Sequence, residues 1–437
     1  MDDRERVIDI FNAALAAADP YHAVMAQKEA VLGRYENGGF TSLYVIGFGK
    51  AAPAMVRAVL DLAGDRVSGG IAVTKYGHWL DRIRGPVRAY EAGHPIPDEN
   101  GVRAATEAIA VARRLDQRSL LICLISGGGS ALLVAPAPGI FLAEKQRMID
   151  LLLRAGADIG ELNTVRKHIS AVKGGRLAQI AYPASVASLI LSDVIDDRLD
   201  VIASGPTTPD TTTYAEALGV IEKYRLHREV PRSIFDYLTK GKEGQIPETL
   251  KTGDPIFNRV TNIVVAGNRR AIEGAGVRCG QLGLDVLVID RALRGEARDA
   301  GQWLANTARE MLERRKGVEK GVCLISGGET TVTVRGSGVG GRNAELALSA
   351  AMEIEGVDGI TLLSAGTDGT DGPTDAAGAV VDGHSVARGR AAGIDPRASL
   401  LNNDSYTFLK GNGDLLVTGP TGTNVMDIQV TIVRPQR

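Results

Sequence analysis

Lys50 stands in the segment GFGKAA (47–52), where the apolar run SLYVIGFG (42–49) turns through glycine into the helical pattern AAPAMVRAVLDLA (51–63). A cation at a helix N-terminus adds to the macrodipole instead of complementing it, so the placement makes sense where an anion sits. Arg342 follows the same logic. It comes after GSGVGG and opens a helix, so its guanidinium can meet an anion cradled by backbone N–H groups. The hexapeptide Cys-Leu-Ile-Ser-Gly-Gly occurs twice, at Cys123–Gly128 and at Cys323–Gly328. Each copy ends an apolar run in a small-residue turn, LLICLISGGGS (120–130) and VCLISGGET (322–330). A buried parallel strand delivers its carboxyl end to a ligand crevice in this way, and successive free N–H groups on glycine suit anions. The candidate phosphate- or substrate-binding positions are therefore Gly47, Gly49, Ser126, Gly127, Gly128, Gly129 and Ser130 in the first half. In the second they are Ser326, Gly327, Gly328 and Glu329.

Carboxylates gather after strands. LSDVIDDRLD (191–200) puts Asp193 at a strand end with Asp196 and Asp197 beyond it, and SAGTDGTDGPTDAAG (364–378) carries Asp368, Asp371 and Asp375. Mg²⁺ takes oxygen ligands, commonly one or two carboxylates with phosphate oxygens and water, so Asp193 and Asp371 are the metal candidates and Asp368 a substrate contact. Asp-Gly turn chemistry explains the same aspartates without a ligand. Arg166, Lys167, Lys173 and Arg176 are the remaining basic candidates, Lys173 and Arg176 foremost. A helix with one charged face ending at Gly174 explains those two equally well.

Other chemistries lack their signatures. The six His show no H-x₃-H and no C-x₂-C occurs, so nothing points to zinc. Ser126 and Ser130 lack the G-x-S-x-G setting of hydrolases, and the G-x₄-G-K-[ST] phosphate loop and the protein-kinase motifs are absent. GFGKAA matches the dinucleotide pattern G-x-G-x-x-A. The next strand, however, ends in Thr74 and Lys75 rather than an acid, so a nicotinamide enzyme would use NADP with Lys75 on the extra phosphate.

The elements that must position these residues alternate between strand and helix: helix 3–18, strands 42–49 and 69–75, helix 100–115, strand 119–125, helix 141–155 and strand 184–193. That order predicts a Rossmann-like, doubly wound parallel sheet. From 205 to 260 the pattern weakens to helical stretches at 213–225 and 231–241. A boundary near 245–258 gives domains 1–250 and 251–437. The second opens with strand 261–267 and continues as a smaller α/β lobe. With 437 residues, 44% of them hydrophobic, the chain can bury more than one core. Lys and Arg total 50 against 52 Asp and Glu, and aromatics are 4%, so neither a basic field nor stacking platforms for nucleic acid are present. No apolar run reaches the roughly 18 residues of a membrane span, and MDDRERVIDIF is not a signal-peptide core. The three Cys form no disulfide framework, and the cytoplasm is the expected compartment.

The segments GFGKAA (47–52), AGHPIPDENG (92–101), LISGGGSALL (124–133), LNTVRKHISAVKGGRLA (162–178), LILSDVIDDRLDVIASGPT (189–207), LISGGET (324–330), GGRNAELAL (340–348) and AGTDGTDGPTDAAGA (365–379) together resemble the glycerate 2-kinases whose C-terminal lobe is the MOFRL domain, proteins often labelled hydroxypyruvate reductases. The resemblance covers nearly the whole chain. It implies ATP- and Mg²⁺-dependent phosphorylation of D-glycerate to 2-phosphoglycerate in an interlobe cleft, with catalytic roles for Lys50 and Arg342. Separately, a homodimer is one assembly to expect. The alternatives are an NADP-dependent hydroxypyruvate reductase, which would need a proton donor that no residue clearly supplies, and a non-catalytic sugar-phosphate-binding regulator.

Overall fold

The computed structural model describes residues 1–78 and 85–434. They form two compact units, one of Pro20–Val265 and one of Met1–Asp19 with Ala266–Arg437.

The first unit is built on a six-stranded sheet of β1 (Ser42–Phe48), β2 (Val67–Lys75), β3 (Val87–Ala92), β4 (Ser119–Ile125), β5 (Ser185–Leu191) and β6 (Val260–Ala266), in the order β3-β2-β1-β4-β5-β6. The β1/β2, β1/β4 and β4/β5 pairings are parallel, as the strand–helix alternation requires, and β2/β3 is parallel as well. SLLICLI and SVASLIL are buried at every position, which a parallel strand covered by helices on both faces needs. The winding reverses between β1 and β4, and at such a switch point the two carboxyl ends leave a crevice. Helix Glu99–Ala112 packs Ala104, Ala105, Ala108 and Ala112 inward, and its first turn is closed by the Asp98 carboxylate accepting from the Gly101 N–H at 3.0 Å. A second core of Met148, Leu152, Val165, Tyr214, Ile221 and Leu238 joins four helices, including Tyr214–Lys223 and Arg232–Lys242 in the stretch of weak pattern.

The second unit has β7 (Asp285–Leu293), β8 (Val322–Gly328), β9 (Ile360–Gly366), β10 (Gly378–Asp382), β11 (Leu415–Leu416) and β12 (Asp427–Val433), in the order β11-β10-β9-β12-β8-β7. β7 and β8 are parallel, but β12 inserts antiparallel between β8 and β9, and β10 is antiparallel to β9. No crossover helix separates β9 from β10, which is what an antiparallel return permits. Helix Arg342–Glu353 is buried along almost its whole length, from Asn343 to Ala351.

Two boundaries differ from the sequence expectation. Strand 261–267 was expected to open the second lobe, yet β6 lies on the edge of the first sheet. Helix Asp3–Ala17 was expected in the first domain, yet it packs in the second unit, where Gly274 admits it so closely that a Cβ would stand 2.3 Å from that of Ala17. An amphipathic stripe says that a face is buried, not which partner buries it. Among the described residues no helix is long and apolar enough to cross a membrane.

Candidate functional site

In the first unit β1 and β4 end side by side, and their turns are tied to each other. The Ser126 N–H donates to the Phe48 carbonyl (3.1 Å), the Lys50 N–H to the Gly127 carbonyl (2.8 Å) and the Ala51 N–H to Ser126 Oγ (3.1 Å). Ser126 therefore acts as a buried brace between the turns, and not as a nucleophile. Gly49 has φ 123°, and a Cβ there would stand 2.1 Å from Ser126 Oγ and 2.5 Å from the Ser126 carbonyl oxygen. Gly47 sits inside β1, where a Cβ would press into Val56 at 2.8 Å. Gly128 has φ 80°, with the His94 ring and the stem of Lys50 facing its missing Cβ. Gly129 and Ser130 begin the short helix Gly129–Leu132. Lys50 itself is half-buried just ahead of helix Ala52–Ala63. Burial, then the Lys75 and Lys50 cations, lower the pKa of His78. Sequence reasoning gives neither histidine a role: His94 lies in AGHPIPDENG (92–101) but is not singled out there, and His78 sits in no motif.

This arrangement makes a testable demand. Gly49→Ala should lower thermal stability by roughly 2–3 kcal/mol, since strain at positive φ is joined by a clash with backbone. Gly64→Ala, with φ 54° but open space around it, should cost about 1 kcal/mol. Calorimetry showing equal losses would mean that the two turns are not locked as described.

The basic candidates separate. Arg176 is committed within the fold, donating to the Lys167 carbonyl and to Tyr214 Oη, both at 2.9 Å. Lys173 is 2% exposed and donates to the Ala203 carbonyl at 3.2 Å. The helix expected to carry both ends at His168, and Gly174 and Gly175 zip instead onto the Ser204 and Gly205 carbonyls. That partner segment holds Asp196, Asp197, Ala203 and Ser204 at positive φ, a strained run directly after β5. Asp193 is half-buried at its start.

In the second unit Arg342 opens helix Arg342–Glu353, as its sequence setting suggested. Its guanidinium forks onto Asp427, Nε to Oδ2 at 2.5 Å and the second nitrogen to Oδ1 at 2.8 Å, and it reaches Glu329 at 3.1 Å. Burial alone would lower its pKa, but the Asp427 carboxylate raises it. Asp427 is fully buried at the start of β12, and burial raises its pKa against the pull of Arg342. Asp371 accepts from the Asn343 N–H (3.0 Å) and the Ala344 N–H (2.8 Å), capping this helix from the loop after β9. Burial pushes Asp371 up to about 6 despite those two donors. With both oxygens engaged and 1% exposure, Asp371 has the geometry of a helix cap. Asp368 closes a local turn on Thr370.

The second hexapeptide differs from the first. Ser326, Gly327 and Gly328 remain inside β8, paired with Gln429, Ile428 and Asp427 of β12, and Ser326 Oγ donates to Gln429 Oε1 at 2.9 Å. Only Glu329 leaves the strand. The identical sequence turns after β4 but continues as strand in β8, because an antiparallel neighbour is there to pair with it.

A family model described as "Domain of unknown function (DUF4147)" matches residues 6–239, and one described as "MOFRL family" matches residues 322–427. A glycerate 2-kinase of Pyrococcus horikoshii is 43% identical over 445 residues, covering 100% of this chain and 99% of that protein. A D-glycerate 2-kinase of Thermotoga maritima is 44% identical over 392 residues, covering 89% of this chain and 90% of that one. The crystal structure of a glycerate kinase from Thermotoga maritima superposes with a TM-score of 0.87 at 40% identity, over 98% of this chain and 99% of that one. On full-length identity, shared fold and both family models, the chain belongs to the glycerate 2-kinase family that carries the MOFRL domain.

Proposed function

We propose that this protein transfers the terminal phosphoryl group of ATP to the 2-hydroxyl of D-glycerate, giving 2-phosphoglycerate. The observation that carries the reading is the Gly49–Lys50 turn locked onto the Ser126–Gly129 turn at the switch point of the first sheet. Phosphoryl transfer asks for little covalent chemistry from the protein. It asks for a positioned cation and backbone N–H groups where charge gathers on the transferring group. Lys50 supplies the cation, and the start of helix Ala52–Ala63 behind it supplies the dipole. Gly49 and Gly128 let the two turns close on each other, since a Cβ would run into Ser126 at the first and into the His94 ring at the second.

Mg²⁺ would accompany the nucleotide. It needs one or two carboxylates beside phosphate oxygens, and Asp193, half-buried beyond β5, suits that demand where Asp371 does not. When bound, the ion would neutralise charge on the phosphate oxygens. Asp368 and Glu329 remain assigned to substrate contact on their positions at strand ends.

The experiment is a pair of assays on one preparation. ADP should form from ATP on addition of D-glycerate and Mg²⁺, and should stop on chelation of the metal. NADPH should not be oxidised by hydroxypyruvate. The reverse pattern would establish the reductase reading and remove this one.

A further inference from the structure

Beside the Lys50 turn lies a group of buried cations that the proposed chemistry has not yet used. Lys145 is 4% exposed and Lys173 2%. Lys145 comes from helix Leu142–Arg154, on the same inward stripe as Met148 and Leu152. Arg166, half-buried, comes from helix Ile159–His168. These three repel one another: Arg166 acts on Lys145, and both act on Lys173. Among the described residues no carboxylate pairs with any of them. Each ammonium has three N–H donors, and each finds one carbonyl acceptor, Ile169 at 3.4 Å for Lys145 and Ala203 at 3.2 Å for Lys173. Burying like charges without a counter-ion costs the fold heavily. Burial and the neighbouring cations push Lys145 down to about 7 and lower Lys173 well below the usual lysine range. Such an arrangement is explained by an anion that arrives with a ligand.

The surroundings are polar and converge. Ser204 Oγ donates to Asn163 Oδ1 at 3.1 Å and meets Ser130 Oγ at 2.8 Å. Asn163 and Arg166 are three residues apart on one helix, so they share a face. Ser204 and Ala203, the carbonyl partner of Lys173, are both held at positive φ. Ser130 belongs to the same SGGGS turn on which Lys50 is docked.

We propose that Lys145, Arg166 and Lys173, with Ser130, Asn163 and Ser204 beside them, form a buried subsite for the carboxylate of the hydroxy-acid substrate. This rests on the glycerate reading. In a 2-hydroxy acid the carboxylate sits on the carbon that bears the reacting hydroxyl. Its site must therefore adjoin the one that holds the phosphoryl group, and Ser130 joins the two. A largely buried cluster suits a small oxyanion better than a nucleotide triphosphate. The subsite makes charge the criterion that separates glycerate from glycerol.

The test uses Lys145→Met and Lys173→Met, with Arg166→Gln as a third variant at a more exposed position should a buried substitution fail to fold. Each lysine variant should melt at or above the wild-type temperature without ligand, because a buried amine with unmet N–H donors has gone. Each should raise the KM for D-glycerate roughly thirtyfold or more, as loss of one partner from a buried charge pair does. The KM for ATP should change less than twofold, and preference for glycerate over glycerol should collapse. Calorimetry without nucleotide should show D-glycerate and sulfate binding to the wild type and lost in the variants. Unchanged glycerate binding, or a KM effect confined to ATP, overturns the proposal. So does a lower melting temperature with an unchanged KM, which marks a structural lysine. If the wild type does not phosphorylate glycerate, the kinase reading fails by itself, and sulfate binding in wild type against variant still decides whether the cluster is an anion site.

Discussion

Lys50→Ala is expected to lower kcat/KM for ATP-dependent glycerate phosphorylation by roughly a hundredfold or more, about 3 kcal/mol of transition-state stabilisation. The melting temperature should not move with it. The reason is the position of Lys50. Its backbone N–H is bonded to the Gly127 carbonyl, and Ala51 and Ser126 complete the junction, so the turn keeps its hydrogen bonds when the side chain is shortened. The side chain stands ahead of helix Ala52–Ala63, where a cation opposes the macrodipole. Near-normal turnover in a folded Lys50→Ala protein would remove Lys50 from the mechanism.

The second large effect is expected at Arg342, and there stability should move. Removing its guanidinium by Arg342→Met leaves the fully buried Asp427 without its cation, a loss on the order of 3–5 kcal/mol. Arg342→Lys should fall between, because one ammonium cannot reproduce the two parallel N–H···O bonds. Adding Asp427→Asn to Arg342→Met should restore part of the loss, since the stranded charge is then gone, and a double-mutant cycle in denaturant measures the coupling. Turnover should fall in all three variants. Additive effects of the two substitutions would show that the fork contributes nothing as a pair.

Much of this was legible in the residues. Unbroken apolar runs located β1, β4 and β5, and alternation with helices gave their parallel order. GFGKAA and LISGGGS marked the two turns that meet at the switch point, because glycine at positive φ and close approach leave a visible trace. Two kinds of feature were not legible. One is pairing between distant segments: β6 joins the first sheet, β12 enters the second in reverse, and helix Asp3–Ala17 packs against Gly274. The second hexapeptide shows the consequence, since its six residues become strand only because β12 lies beside them. The other is the use of a charge. Asp371 and Arg342 read from sequence as groups open to ligand, yet one caps a helix and the other is forked onto a buried carboxylate whose position lies 85 residues away. Lys145 did leave a signal, a lysine on the apolar stripe of an amphipathic helix, but the same spacing also describes a solvated stem.

The central claim is the transfer of phosphoryl to the 2-hydroxyl of D-glycerate, and the position of phosphate on the product tests it most directly. NMR of the mixture formed from ATP, Mg²⁺ and D-glycerate should show the phosphorus coupled to the proton on carbon 2, and only there. Coupling to the carbon-3 protons alone, or no phosphorylated acid while NADPH is consumed with hydroxypyruvate, would contradict the account.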